Sequence, residues 1–167
     1  MAAPVTCERL AEAADAVRNA KSDLDQIAVC IAETVAARPA TPEPPYLDVY
    51  GAGALLHAYY NQVEQLLERL ARDLNSAPPE CAEWHRRLLD AMAADRPDIR
   101  PAVIGKEAHA LLKEYLGFRH VFRRLYIMNV RWDRVHELLE GVADAHGRVI
   151  EDLERFEAQL LELSRAL

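Results

Sequence analysis

Glycine is scarce in this chain, six in 167 residues, while Ala, Leu, Glu and Arg dominate. That balance favours helix over sheet. Serine is nearly absent, which removes a serine nucleophile with a histidine relay. The three cysteines, Cys7, Cys30 and Cys81, are far apart, odd in number and form no C-x-x-C pair. Neither a cysteine zinc site nor a disulfide framework is indicated, and a reducing cytosol fits. No apolar run reaches transmembrane length, and Met1 to Glu8 hold no basic region followed by an apolar stretch. Neither a membrane span nor a signal peptide is expected, and the protein is read as cytoplasmic. GxGxxG, phosphate-loop and HExxH signatures are missing, and none of the six histidines has metal-ligand spacing. No metal and no cofactor are expected. Positive charge is also short: 20 Lys and Arg against 27 Asp and Glu give a formal charge of −7. That argues against a general nucleic-acid coat protein but leaves room for a local basic site.

What is present is an apolar fraction of 51% in a length that suits one domain, residues 1–167, with a real core. Apolar residues from Leu10 to Val35 recur at three- and four-residue steps and predict a long first helix over 5–37, capped by Thr6. Such a helix exceeds one small bundle layer, so it is either broken near Asn19 or packed partly against a second subunit. Four prolines in the seven residues 39–45 end it. Residues 38–46 are read as an extended linker, and 47–165 as the remaining core. A second helix over 47–75 carries the stripe Leu55, Leu56, Tyr59, Val63, Leu66, Leu67, Leu70 and Leu74. Gly51 and Gly53 near its start would allow close helix packing. His57, Tyr59, Tyr60 and Asn61 are read as core and rim polar residues or as part of a polar site. A third, shorter helix covers about 81–94, with Trp84 packing and His85, Arg86 and Arg87 solvated. The segment 95–101 breaks it. A fourth helix is expected over 104–127 and a fifth over 132–165. The expected fold is all-α, an up-and-down bundle of about five helices.

The fourth helix carries the stretch Phe118-Arg119-His120-Val121-Phe122-Arg123-Arg124-Leu125-Tyr126, dense in base for an acidic protein. At about 100° per residue, Arg119, His120, Arg123, Arg124 and Tyr126 form a front, and Phe118, Val121 and Leu125 an apolar back. Guanidinium groups grip phosphate oxygens and stabilise a pentacoordinate transition state. A tyrosine stacks on a base, and a histidine moves a proton near neutral pH. The plainer reading is a solvated basic face, or one paired with carboxylates of a neighbouring helix.

The same stretch resembles the signature of HepT-like toxins of the HEPN superfamily: Arg, four residues, His, one residue, Tyr. His57-Ala58-Tyr59-Tyr60-Asn61, Trp84-His85-Arg86-Arg87-Leu88-Leu89 and Arg100-Pro101-Ala102-Val103-Ile104 are similar to further segments of that family, over about residues 50 to 160. The resemblance implies a helical bundle that dimerises through the motif helix and builds an RNA cleft there. It implies a metal-independent endoribonuclease, paired with a minimal nucleotidyltransferase (MNT) antitoxin that blocks the site by AMPylation of the motif tyrosine. Carried over, the motif Arg is Arg119, the motif Tyr is Tyr126, and the His position holds Arg124. An arginine stays charged and cannot act as a general base. The chain is therefore a degenerate member that binds without cutting, an engineered or detoxified variant, or one in which His120 takes over proton transfer. Arg119, His120, Arg124 and Tyr126 are the candidate catalytic residues. Arg119, Arg123 and Arg124 are the candidate RNA contacts, and Tyr126 is the candidate modification site. A homodimer, the MNT antitoxin and a tRNA or mRNA are the expected partners. The alternatives are an inactive HEPN dimer that serves as the antitoxin's binding partner, and a helical interaction protein with no RNA role.

Overall fold

The structure, a computed structural model, describes residues 6–37, 43–74, 83–97, 99–124 and 130–166. Among them stand five helices and no strand: α1 (Cys7–Ala36), α2 (Tyr46–Asp73), α3 (Trp84–Met92), α4 (Lys106–Phe122) and α5 (Trp132–Ala166). The all-helical expectation and the number of helices hold.

The Thr6 hydroxyl accepts the Arg9 N–H at 3.4 Å and starts α1. The helix then runs 30 residues without a break at Asn19. It has no need to break, because α5 is 35 residues long and lies along it. Ala13, Ala14, Val17, Leu24 and Ile31 are buried in that contact layer and against α2. At the rim, Arg18 and Lys21 each reach Glu157 of α5 at 3.0 Å. His146 of α5 joins the layers more deeply. Its Nε2 donates to Asp25 at 2.9 Å, and its Nδ1 accepts from the buried Tyr59 hydroxyl at 3.3 Å.

α2 is the central element and touches all four other helices. Its predicted stripe is buried, apart from the half-buried Leu55. Of the two glycines near its start, only Gly53 permits a close approach. A Cβ there would lie 2.7 Å from Cε2 of Phe122, whereas Gly51 faces open space. The expectation for Gly51 is corrected.

α3 ends on a buried arginine. The guanidinium of Arg100 donates to the carbonyls of Ala91 and Pro101 at 2.9 Å, adding to the backbone bonds that close the helix end. Burial pulls its pKa down to about 10. α4 starts on Gly105, whose N–H donates to the buried Asp152 carboxylate of α5 at 2.6 Å. A negative charge at that terminus also meets the positive end of the helix dipole. α4 stops at Phe122, five residues before the expected 127. Arg123 and Arg124 form a tight turn in which the Arg124 N–H donates to the Val121 carbonyl at 3.0 Å. Tyr126, Leu125 and the expected turn at Asn129 lie outside the described residues.

Candidate functional site

The site forms where α2, α3 and the end of α4 meet. Gly53 lets Phe122 settle against α2, and Phe122 stacks beside Phe118 and His57. This contact fixes the last turn of α4 and turns Arg119 inward. Arg119 is 8% exposed, so it is not the solvent-facing cation that the helical wheel predicts. Its Nε donates to Asn61 Oδ1 at 2.7 Å, and its Nη2 pairs with Glu64 Oε1 at 3.0 Å. Asn61 and Glu64 are three residues apart on α2 and therefore share a face. The Asn61 amide in turn donates to His57 Nδ1 at 3.1 Å.

The second oxygen of Glu64 is occupied as well. His85 Nδ1 donates to Glu64 Oε2 at 2.8 Å. Arg119 Nη1 lies 3.4 Å from both ring nitrogens of His85. The expectation that His85 is solvated is thus corrected: it is buried, stacked on Trp84, and edge-on to His120 at 5.5 Å. The reason is its phase. His85, Leu88, Leu89 and Met92 fall at steps of three, one and three residues, which is the buried face of α3. Glu64 follows Tyr60 by one turn on the buried side of α2 in the same way. These phases were the signal for a charged group placed in the core, and a search for basic clusters passes over them.

His85, Arg119, His120, Arg123 and Arg124 line one cleft of about 210 Å3. His120 and Arg124 also border an adjoining hollow of about 370 Å3 that reaches Arg86 and Lys113. Of the sequence-derived front, Arg119, His120, Arg123 and Arg124 come together, and Tyr126 lies outside the described residues. The apolar back is half right. Phe118 is buried, but Val121 is 56% exposed, because no described element covers that face of α4.

Electrostatics separate the members. Arg119 is balanced by Glu64, while Arg123 and Arg124 are exposed and have no carboxylate partner among the described residues. Burial holds the His120 imidazole below its ordinary pKa, and His85, Arg119 and Arg124 push the same way. His57 is lowered too, by burial and then by Arg119 and Arg123. His120 is therefore biased toward its neutral form. Among the described residues no group of His, Cys, Asp and Glu could hold a metal ion. Nor is any described helix long and apolar enough to cross a membrane. The arrangement offers two open guanidinium groups for phosphate oxygens, a third held rigidly, and two imidazoles at the cleft.

No curated protein and no solved structure matches the chain significantly. A family model does match, that of the HepT-like proteins, over residues 51–160. The match begins within α2 and ends within α5, so it contains every residue of the cleft and leaves out α1. It covers well over half of the sequence, and this chain belongs to the HepT-like family of the HEPN superfamily.

Proposed function

We propose that this chain is the toxin component of a HEPN/MNT toxin–antitoxin pair, and that its cleft is a metal-independent endoribonuclease site completed by a second copy. The observation that carries the reading is the convergence of Arg119, His120, Arg123 and Arg124 on one cleft in a protein of net charge −7. Two of those cations lack carboxylate partners among the described residues, as a phosphate-binding surface requires. Apolar side chains are left open beside the motif: Val121 is 56% exposed, and Tyr50, 5.2 Å from Phe122 ring to ring, is 40% exposed. A second motif helix would cover them. Tyr126, two residues beyond Arg124, is the acceptor for AMPylation by the MNT antitoxin. The buried ion pair of Arg119 would also arise in a purely structural protein. That reading leaves the open arginines and His120 without a purpose. The direct test is tRNA incubated with the purified protein in EDTA and run on a denaturing gel. Discrete fragments are expected, lost in Arg119→Lys. RNA left intact under conditions where an Arg124→His variant cuts would overturn the enzymatic reading.

A second reading rests on Arg124 itself. An arginine at the motif histidine position leaves a dimer that binds RNA or the antitoxin without cutting. Co-expression with a neighbouring nucleotidyltransferase then gives a stable complex and an adenylyl mass increase on Tyr126. An unmodified and unbound protein would count against it.

A further inference from the structure

We infer that His85, aimed by Glu64, is the catalytic base that stands in for the missing motif histidine. The inference rests on the ribonuclease reading and deepens it. Three observations carry it. The first is position. His85 belongs to α3, outside the motif, yet its ring lines the same cleft as Arg119, His120 and Arg124. The second is orientation. Glu64 takes the hydrogen bond from Nδ1 at 2.8 Å, so Nδ1 carries a proton and Nε2 is the ring nitrogen left to exchange one. A carboxylate on one ring nitrogen and a reacting proton at the other is the arrangement that lets an imidazole work as a base. The third is the place of Arg119. Its Nη1 is equally far, 3.4 Å, from both ring nitrogens. The long contact from Arg119 Nη1 to Nε2 is the one that a substrate hydroxyl would replace. Charged and titratable groups face His85 from two helices: Glu64 of α2, and Arg119 and His120 of α4.

The step is transesterification. His85 Nε2 takes the proton of a ribose 2′-hydroxyl, and the 2′ oxygen forms a bond to phosphorus. The bond from phosphorus to the 5′ oxygen breaks, and that oxygen takes a proton from solvent, while the imidazolium returns its proton to solvent. The products are a 2′,3′-cyclic phosphate and a 5′-hydroxyl end, with no metal and no redox partner needed. Arg119 and Arg124 face the phosphoryl oxygens, where negative charge grows. Arg124 at the motif position then supplies charge, and the proton transfer has moved to α3. His120 keeps the neighbouring place in the cleft and shapes its field.

The test compares the full chain with His85→Gln, which keeps a hydrogen-bond donor for Glu64. Cleavage of an RNA oligonucleotide is followed in EDTA from about pH 5 to 8. The expected loss is roughly 10²–10⁴-fold in rate, with RNA binding by gel shift changed less than about threefold. The rate of the parent rises with pH through one ionisation, and that limb vanishes in the variant. Adding Arg124→His to His85→Gln restores cleavage, which a merely structural histidine would not allow. A His85→Gln protein that cuts within about threefold of the parent, with the same pH profile, overturns the inference and leaves the ribonuclease reading standing. A parent that shifts RNA but never cuts it overturns the inference and leaves RNA binding; one that does neither overturns both. Should His85→Gln fail to fold, the parent gives a second readout. The His85 ring resonances must move when a 2′-O-methyl RNA, which cannot be cleaved, is added. Resonances that stay in place overturn the inference.

Discussion

At the scale of single residues, Glu64 and Arg119 form a buried ion pair that His85 and Asn61 support. Glu64 and Arg119 are 6% and 8% exposed, and each is satisfied by the other together with His85 and Asn61. Such a pair contributes little net stability compared with apolar packing, but removing one half strands a buried charge. Arg119→Ala is therefore expected to cost about 3–5 kcal/mol in urea unfolding, and Glu64→Gln in the same background to recover part of it. A loss under roughly 1 kcal/mol would mean that Arg119 is solvated in solution. A different titration is expected at His57. Its pKa is lowered by burial and by Arg119 and Arg123, so the folded state binds that proton less tightly than the unfolded chain. Its share of stability is complete above the ordinary value of 6.5 and is lost as pH falls through the lowered one. The melting temperature should drop on acidification below that value, and His57→Gln should flatten part of the drop; an unchanged slope would refute the assignment. Of this network the sequence showed Arg119 and His120, because motif spacing marks them. It hid Glu64 and His85, because a helix phase says that a residue is inside without naming its partner.

At the scale of elements, helix identities were legible and helix ends were not. Periodicity placed all five helices, since each buries one continuous stripe and prolines separate the first four. The end of α4 escaped, because the residues after Phe122 keep a helical pattern of polarity while the chain tightens into a turn. What sets that end is a contact across helices, Phe122 on Gly53, which no local pattern encodes. The two glycines of α2 test it. Gly51→Ala enters open space and should stabilise by about 0.5–1 kcal/mol through helix propensity. Gly53→Ala puts a methyl 2.7 Å from a ring already held by Tyr50, His57 and Phe118. Overpacking of this kind costs about 1–3 kcal/mol and outweighs the propensity gain. Gly53→Ala should also displace Arg123 and Arg124 and weaken RNA binding, with Gly51→Ala as the control. Equal stability of the two variants would remove Phe122 as the anchor.

At the scale of the whole molecule, the distribution of charge and apolar surface matters more than either total. Most arginines are neutralised where they stand. Arg18, Arg72, Arg134, Arg148 and Arg155 all pair with carboxylates of their own or neighbouring helices. The open cations Arg123 and Arg124 are left beside exposed apolar groups at one end of α4. A surface with both features is suited to a second copy and a polyanion together, because the apolar part binds the copy and the paired clefts bind the phosphates. Val121 is the residue to change, being exposed, on α4 and outside the cleft lining. Val121→Glu should leave the monomer's melting temperature within the range of surface substitutions, about 0.5 kcal/mol, while placing like charges across a two-fold contact. Light scattering after size exclusion should show the parent as a dimer and the variant as a monomer, a weakening of at least tenfold, or about 1.4 kcal/mol. RNA binding should fall with it, since a site completed by two copies is lost when they separate. A Val121→Glu protein that remains a dimer would move the interface to another face, and a monomer that still binds RNA fully would place the whole site within one chain.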